Sequence, residues 1–339
     1  MDNEQELEEY MSVPHNETVE LMKKLDGDIL ILGIGGKMGP TLGNLAVKAL
    51  KKAGVRKKVI GVSRFSDIES RNKLENLGIT CIQCDLLNQE EVRQLPKVKN
   101  IIYMAGRKFG LRGTDYLYWG MNTIAPSYTA DYFSDSNIVV FSTGNVYNFW
   151  PCDSPGPNET DPAVPYGEYS NSCLGRERVF EYYSREKGTK ILLYRLNYAI
   201  DLRYGVLFEI GKQVNEGRPV NIEMGYANVI WQGDANNIAL RCLEHVSSPP
   251  EILNVTGDKI RIRDIAARFG EIMKKEPVFE GKESSTALLS DNSKMKKFMG
   301  EPRISLDQML QMTAEWIQSG GKSLEKPTHF QTRDGQYLD

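Results

Sequence analysis

The 339-residue sequence has no apolar run approaching the roughly 20 residues that a membrane-spanning helix needs, so we expect no membrane partner. It has no basic block and a net charge of −3, which argue against nucleic acid as the main partner. The five cysteines are few and odd in number, and the acidic first segment is unlike a secretion signal. These features predict reduced thiols and a cytoplasmic protein.

Several common catalytic motifs are also missing. The three histidines form no recognisable metal or triad spacing, so we expect no bound metal. No G-x-S-x-G nucleophile elbow occurs. Lys37 is followed by Met38, and the glycine spacing around it does not fit a P-loop. Serine hydrolysis, metal catalysis and P-loop phosphate transfer therefore explain the sequence poorly.

A glycine cluster follows the short apolar run Asp28–Leu32 and precedes an amphipathic helical pattern. Gly33 permits a tight turn, Gly36 lets backbone approach a pyrophosphate, and Gly39 lets the helix lie close to the sheet. This order of strand, loop and helix predicts a dinucleotide site at a helix N-terminus. Two further loop residues are expected at the cofactor, Lys37 and Met38.

Strand and helix patterns alternate after this loop. The segments that read as strands are Val59–Val62, Thr80–Gln83, Asn100–Met104, Ile138–Phe141, Lys190–Leu196 and Glu251–Val255. The alternation predicts an α/β fold of Rossmann type, a doubly wound parallel sheet, with a small C-terminal α+β lobe over its carboxyl edge.

The patterns also divide the chain into regions. The expected units are an N-terminal helical extension at residues 1–26, a dinucleotide-binding Rossmann domain at 27–200 with returning segments near 228–257, a small substrate-binding lobe at 201–320 and a C-terminal tail at 321–339. In the extension, Asn16 is the expected cap of a short helix. The tail is polar and we expect it to be loose, although Phe330 and Tyr337 hint at docking.

Small and polar residues follow the carboxyl ends of the later strands. Asp85-Leu86 follows the third strand, where the carboxylate can accept a hydrogen bond from an adenine amino group. Ala105-Gly106 follows the fourth strand, where small residues would let a cofactor lie close to the backbone. Ser142–Tyr147 ends the fifth strand, and Tyr166–Cys173 opens the next helix.

Together with the glycine loop, these segments resemble the extended short-chain dehydrogenase/reductase superfamily, specifically its NAD-dependent epimerase/dehydratase type. The resemblance runs from about Gly27 to Gln318 and includes Val229–Ala235 and Leu253–Gly257. It implies that a tyrosine moves a proton to or from a substrate hydroxyl while hydride moves to or from a nicotinamide.

The resemblance also implies roles for particular residues. The hydroxyl role falls on Thr143 rather than Ser142, because Thr143 lies three residues before the Val–Tyr pair. The tyrosine role falls on Tyr169, with Tyr166 as the alternative. Asn122 resembles the family's helix asparagine near the site, and a turn or capping role is its alternative.

One position departs from the family. Four residues after the tyrosine the family carries a lysine, and here that residue is Cys173. Residues at i and i+4 share a helix face, so the lysine ammonium would favour the phenolate, whereas a neutral thiol does not. The basic residues that can supply charge from elsewhere are Lys37, Arg107, Lys108 and Arg176. Cys173 itself is either core packing or a nucleophile.

The end of the second strand bears on cofactor choice. NAD-preferring relatives usually hold an acidic residue there, and this chain has Ser63-Arg64. A carboxylate would repel a 2′-phosphate, whereas the Arg64 guanidinium can bind it and stack on the adenine. The sequence therefore favours NADP over NAD, with a solvent-facing arginine beside an NAD site as the alternative.

The sequence of the small lobe indicates whether the substrate is a nucleotide sugar. Relatives that act on nucleotide sugars often carry an arginine shortly before the Val–Asp segment, about where Asn228 stands here. A diphosphate buried without cations is costly, so we do not expect a nucleotide sugar. The arginines that can substitute from another direction are Arg195, Arg203, Arg218 and Arg263.

The sequence as a whole predicts an NAD(P)-dependent oxidoreductase or epimerase that acts on a secondary alcohol of a sugar-like or polyol substrate. The alternative is a non-catalytic NAD(P)-binding sensor or scaffold that has lost the catalytic lysine. Relatives often dimerise through a four-helix contact, and the helices near Gly120–Phe133 and Tyr169–Lys187 predict a homodimer of that kind.

Overall fold

The computed structural model describes Met1, residues 3–108 and residues 113–336. The strands of this part of the chain are β1 (Ile29–Leu32), β2 (Val59–Ser63), β3 (Thr80–Gln83), β4 (Asn100–Tyr103), β5 (Asn137–Thr143), β6 (Trp150–Pro151), β7 (Lys190–Leu196), β8 (Ala199–Ile200), β9 (Val220–Asn221), β10 (Tyr226–Asn228), β11 (Ile230–Trp231), β12 (Glu251–Val255), β13 (Lys259–Arg261), β14 (Phe279–Glu280) and β15 (Thr286–Ala287).

Seven of these strands form one sheet in the order β3-β2-β1-β4-β5-β7-β12, and every adjacent pair is parallel. Side chains of β1 alternate between two cores, with Ile31 in one and Leu32 in the other. A sheet buried on both faces explains why its strands read as continuous apolar runs. The predicted Rossmann-type parallel sheet is confirmed, and β3, β7 and β12 have the predicted bounds.

Helices cover both faces of the sheet. In the described residues they are α1 (Glu4–Met11), α2 (Asn16–Lys24), α3 (Gly39–Ala53), α4 (Ile68–Asn76), α5 (Gln89–Arg93), α6 (Tyr116–Trp119), α7 (Ala125–Tyr132), α8 (Glu168–Lys187), α9 (Val206–Glu216), α10 (Gln232–Arg241), α11 (Ile262–Met273), α12 (Ser293–Met299) and α13 (Leu306–Gln318). A π-helical turn, Gly120–Ile124, joins α6 to α7. None of the helices in the described ranges is both long and apolar enough to cross a membrane.

The strand order reverses between β1 and β4, because the chain builds outward to β3 and then returns to the other side of β1. Ligands of such sheets bind in the crevice at the carboxyl ends of the strands beside this reversal. The glycine loop after β1 and the Ala105-Gly106 segment after β4 both lie at this edge. The fold therefore brings the predicted cofactor segments together.

A smaller lobe follows β8. Helices α9, α11 and α13 pack around a second core that includes Phe208, Phe269 and Trp316. Short strand pairs, β9 with β14 and β10 with β13, complete this α+β lobe.

Two helices precede the sheet, and only the second was expected from the sequence. The predicted cap at Asn16 is wrong: His15 is the N-cap residue of α2 and makes no side-chain capping bond, and Asn16 is the first helical residue. His15 instead contacts the Asp234 carboxylate, 3.2 Å from Nε2 to Oδ1. Helix α1 contacts α3 and α10, so the N-terminal segment packs onto the domain.

The expectation of a loose tail at residues 321–336 is also wrong. Phe330 is 1% exposed and belongs to the core of the small lobe, whereas Tyr337 lies outside the described residues. The Thr328 N–H donates to the Glu209 carboxylate over 2.6 Å, and the Thr328 carbonyl accepts from Lys108 Nζ over 3.1 Å. This docked segment reaches the carboxyl edge of the sheet.

Candidate functional site

The glycine loop is shaped by close backbone contacts. Gly33 has φ +90°, and an added Cβ would lie 2.6 Å from the backbone nitrogen of Ala105. An added Cβ at Gly39 would collide with the carbonyl of Ile34, which explains how closely α3 approaches the loop. At Gly36 the nearest atom would be 3.4 Å away, and this residue faces the cleft. The loop therefore forms a cradle in front of the N-terminus of α3.

One cavity of about 330 Å³ extends from this loop along the ends of β2 and β3. The predicted cofactor residues in its lining are Gly33, Gly36, Ser63, Arg64, Asp85, Leu86, Ala105 and Gly106. The exposed Arg64 follows β2 directly, and the nearby Asp67 carboxylate caps α4 through the N–H groups of Glu69 and Ser70. This cavity brings together the residues that the sequence predicts for the adenosine part of the cofactor.

A second cavity, of about 340 Å³, shares Gly36, Met104 and Gly106 with the first. Its lining includes Thr143 at the end of β5 and Tyr169 in the first turn of α8. The predicted loop residues Lys37 and Met38 line it as well, whereas Gly39 is buried against Ile34. The two cavities together form a continuous cleft, with a hydroxyl and a phenol at one end.

Thr143 is held by its own turn. Its Oγ1 accepts from the Asn145 N–H and contacts Asn145 Oδ1, both over 3.2 Å, which caps a short 3₁₀ turn. Asn145 lines the same cavity. Asn145 had no sequence signal of its own beyond its place beside Thr143.

Tyr169 and Cys173 lie one helical turn apart. Tyr169 is 9% exposed and packs edge-on against Tyr118, with ring centroids 6.1 Å apart. Cys173 is 1% exposed, and its thiol hydrogen-bonds with the Tyr169 side chain. Burial raises the pKa of this thiol, and the positive charge of Arg176 opposes the rise. Cys173 is therefore a neutral neighbour of the phenol rather than an exposed nucleophile.

Asn122 lies behind the cavity wall. It is fully buried on the π-helical turn, and its amide pairs with the Arg107 backbone over 2.9 and 3.0 Å. Its Nδ2 also donates to Ser172 over 2.9 Å, and its Oδ1 accepts from Arg176. Asn122 and Cys173 are absent from the described lining of the cavity. The structure therefore places Asn122 as the residue that fixes the Gly106–Lys108 loop against α8.

The four basic residues that the sequence could not place, Lys37, Arg107, Lys108 and Arg176, all line the second cavity. Arg176 donates to the Phe141 carbonyl over 2.7 Å and to Asn122. Lys37 Nζ donates to the Ala199 carbonyl over 3.1 Å and lies over the Tyr204 ring. Lys108 extends toward the docked tail.

Burial affects the pKa of both lysines. It lowers the pKa of Lys37 to about 8, with Asp201 opposing the shift, and it lowers the pKa of Lys108 to about 8, with Glu209 opposing the shift. Burial also raises the pKa of Glu209. A bound anion would restore the ammonium form of either lysine.

A buried ion pair supports this wall from behind. Arg195 on β7 contacts the Glu177 carboxylate twice, over 2.9 and 2.6 Å, and both side chains are nearly inaccessible. Ser142 donates to the same carboxylate over 2.6 Å, and Arg195 donates to the Tyr147 hydroxyl over 2.6 Å. The network ties β5, β7 and α8 together beside Thr143. Sequence reasoning missed it because its members are far apart along the chain.

The described residues contain no group of His, Cys, Asp and Glu side chains arranged to hold a metal ion. The fold, the glycine cradle and the two-part cleft define the class of a Rossmann-type dinucleotide-binding protein. The sequence model of the NAD dependent epimerase/dehydratase family matches residues 29–205, more than half of the 339 residues. The chain belongs to this family, which is of the extended short-chain dehydrogenase/reductase type.

Solved structures resemble the whole fold. A UDP-glucuronic acid 4-epimerase from Bacillus cereus has 19% sequence identity and a TM-score of 0.70, covering 86% of this chain and 99% of its own. A UDP-glucose 4-epimerase from Thermotoga maritima has 20% identity and a TM-score of 0.69, with the same coverage. The dTDP-glucose 4,6-dehydratase DesIV from Streptomyces venezuelae, solved with NAD, has 16% identity and a TM-score of 0.70, covering 86% and 97%. No curated protein sequence matches the chain significantly.

Proposed function

We propose that this protein is an NAD(P)-dependent oxidoreductase or epimerase that acts on a secondary alcohol of a small, sugar-like substrate. The observation that carries the proposal is the placement of Thr143 and Tyr169 on one cavity that continues into the glycine cradle. A cofactor bound there would supply or accept hydride. The Tyr169 phenol exchanges a proton with the substrate hydroxyl, and the Thr143 hydroxyl orients that group.

The missing lysine is compensated by positive charge from two other positions, one on α8 and one on the loop after β4. The Arg176 guanidinium and the Lys108 ammonium both act on the Cys173 thiol beside Tyr169, and both line the cavity. Positive charge near a phenol favours its phenolate, whichever side chain carries it. This arrangement supports catalysis over the alternative of a non-catalytic sensor or scaffold.

We propose NADP as the preferred cofactor. The glycine cradle fits a dinucleotide, because Gly36 leaves space that a side chain would fill. Arg64 borders the adenosine cavity and is exposed, so its guanidinium is available to a 2′-phosphate. The two carboxylates in the described lining are Asp67, which caps α4, and Asp85, which accepts from the Leu87 N–H. Neither carboxylate stands directly after β2, where NAD-preferring relatives usually carry an acidic residue.

The substrate is not a nucleotide sugar in our proposal, in contrast to the substrates named for the structural neighbours. Asn228 is buried, donating to the Gly257 carbonyl and accepting from the Ser290 N–H. Arg195 forms an ion pair with Glu177, and Arg203 forms an ion pair with Asp201.

The two remaining arginines considered for a diphosphate are also engaged. Arg218 pairs with Glu216, and Arg263 pairs with Glu283. In addition, Thr328 of the docked tail lines the cavity. A volume of about 340 Å³ is near the lower end of small-molecule sites and must also hold a nicotinamide. These features favour a substrate much smaller than a nucleotide sugar.

The test is reduction of NADP⁺ and NAD⁺ by a panel of polyols, sugars and sugar acids, together with an epimerisation assay by NMR. Tyr169→Phe should abolish turnover while cofactor binding, measured by calorimetry, is retained. Tyr166→Phe is the matched control and should keep turnover. Equal activity in the Tyr169→Phe variant would contradict the assignment, and cofactor binding without any turnover would support the sensor alternative.

A further inference from the structure

The docked tail is fixed to the small lobe at three successive points. The Thr328 N–H donates to the Glu209 carboxylate on α9 over 2.6 Å. The Phe330 side chain is 1% exposed and belongs to the core of the lobe. Arg333 donates to the carbonyl and to the hydroxyl of Thr286 on β15, over 2.8 and 2.7 Å. Buried contacts of this kind hold a segment in one place, so the tail follows a defined path across the lobe.

Beyond Arg333 the tail crosses to the start of α8. Gly335 lies against Gly167, the residue that precedes this helix: a Cβ added at Gly167 would come within 2.4 Å of the Gly335 carbonyl oxygen. A Cβ added at Gly335 would lie 3.0 Å from Gly167 Cα and 3.0 Å from Tyr166 Cδ1. Both glycines have positive φ, +84° at Gly167 and +71° at Gly335. The two backbones therefore touch at a point where a side chain on either glycine would push them apart.

Gly167 is joined in turn to the helical turn that carries Tyr169. Its carbonyl accepts from the Asn171 N–H over 3.0 Å and from the Asn171 side-chain amide over 2.8 Å. Because Gly167 has no side chain with which to cap α8, these bonds and the contact with Gly335 fix the first turn of the helix. The tail also reaches the second cavity directly, since Thr328 and Tyr169 both line it.

We propose that the docked tail belongs to the candidate active site, because Gly335 positions the first turn of α8 and thereby holds the Tyr169 phenol at the cavity. The inference rests on the proposed function, which gives this phenol a substrate hydroxyl to reach. A displacement of about 1 Å at a reacting group can cost up to about a hundredfold in rate. Gly335 lies outside the described lining of the second cavity, so it is a positioning residue that acts through Gly167.

The test compares Gly335→Val with Gly320→Val in the full chain. Gly320 also has positive φ, +74°, but an added Cβ there would meet no described atom within 4 Å. The two variants therefore share the backbone strain and differ in the contact with α8. Hydrogen exchange of the amides at residues 168–172, followed by mass spectrometry, reports on the first turn without any substrate. These amides should exchange about tenfold faster in Gly335→Val and at the unmutated rate in Gly320→Val.

Steady-state kinetics, with whichever substrate the turnover panel identifies, give the second readout. Gly335→Val should lower kcat by about tenfold, because the phenol is displaced from the reacting hydroxyl. The KM for the cofactor should stay within about twofold, because the glycine cradle forms between β1 and α3. Gly320→Val should keep both constants. Urea unfolding should shift equally in the two variants, which separates positioning from general destabilisation.

Unchanged exchange at residues 168–172 in Gly335→Val would overturn the positioning role, and so would faster exchange with an unchanged kcat. An equal loss of kcat in Gly320→Val would also overturn it, because that variant keeps the contact with α8. An unmutated protein that binds the cofactor and turns over no substrate contradicts the proposed function instead. The exchange comparison then still decides whether the tail holds the first turn of α8.

Discussion

The side chains of Tyr169 and Cys173, one turn apart on α8, share a hydrogen bond at the positions where the family carries tyrosine and lysine. Burial raises the pKa of the thiol, so the partner of the phenol is neutral in the ordinary pH range. The positive charges of Arg176 and Lys108, which line the cavity, lower the pKa of this thiol, and in our proposal they replace the missing lysine.

This relationship predicts that the thiol is dispensable. Cys173→Ala should keep turnover within about threefold, because it removes only the weak hydrogen bonds of the thiol with Tyr169 and Asn122 and no charge. Cys173→Lys should instead lower the free energy of unfolding by roughly 2–4 kcal/mol, since its ammonium would be buried near Arg176 and Lys108. Steady-state kinetics and urea unfolding measure the two effects. Loss of turnover in Cys173→Ala would make the thiol a catalytic group.

Cofactor preference should depend on Arg64. The unmutated protein should bind NADP⁺ more tightly than NAD⁺, and Arg64→Asp should reverse the order, because a carboxylate repels the 2′-phosphate and accepts from the ribose hydroxyls. Calorimetry on the purified protein gives both constants. Arg56→Asp makes the same charge change at an exposed site outside the described cleft and should leave the order unchanged. Tighter NAD⁺ binding by the unmutated protein would remove this role from Arg64.

Cofactor affinity should fall as pH rises through the pKa of Lys37, which burial lowers to about 8. The groups that act on this ammonium are Asp201, Arg203, Lys108 and Lys326, and the Tyr204 ring lies beneath it. Below that pKa the ammonium attracts the pyrophosphate, and above it the neutral amine does not. The dissociation constant should therefore increase by about three- to tenfold between about pH 6.5 and about pH 9.5.

Lys37→Met is the comparison for this pH dependence. Its cofactor affinity should be weaker at neutral pH and should vary much less between the same limits. An unmutated protein whose affinity is constant across that interval would show that the Lys37 ammonium does not contact the phosphates.

The buried pair of Glu177 and Arg195 should dominate the stability of the sheet edge beside the cavity. Glu177→Gln leaves an arginine charge without its counter-ion and should lower the free energy of unfolding by about 3–5 kcal/mol. The double variant Glu177→Leu with Arg195→Met should recover much of that loss, because no buried charge remains unpaired. Urea unfolding monitored by circular dichroism measures both. A cost below about 1 kcal/mol for the single variant would contradict the buried pairing.

The predicted homodimer should use the outer faces of α7 and α8. Ile124, which precedes α7, and Tyr182 on α8 are exposed large side chains. Placing glutamate at both positions should shift the mass measured by light scattering toward the monomer, because it introduces charge into an apolar contact. Val278→Glu on the small lobe is the control and should leave the mass unchanged. A monomeric unmutated protein would remove the dimer prediction.

The sheet was predictable because its inner strands are buried on both faces and give short apolar runs. The predicted bounds of β3, β7 and β12 match the observed ones. The glycine loop was predictable because backbone geometry alone demands glycine at Gly33 and Gly39. The roles of Thr143 and Tyr169 were predicted from the spacing of the family's motif, and in the structure both residues line one cavity.

The remaining features depend on contacts between distant segments. Helix α1 has a strongly acidic sequence with only Leu7 and Met11 buried, and Arg203 near the small lobe pairs with its glutamates. The tail has no periodic pattern, and its docking follows from Phe330 and from hydrogen bonds to Glu209 and Lys108. The local sequence around a residue does not show which distant residue it will contact in the folded protein. These contacts could therefore not be predicted.

The docked tail also sets the order in which the protein can be completed during synthesis. The last strand of the parallel sheet, β12, ends at Val255, whereas Thr328 contributes to the cavity wall more than seventy residues later. A growing chain therefore contains all seven strands of the sheet well before the Thr328 segment is synthesised. The glycine cradle forms from the earlier part of the chain, and the wall of the second cavity is completed only when the Thr328 segment docks.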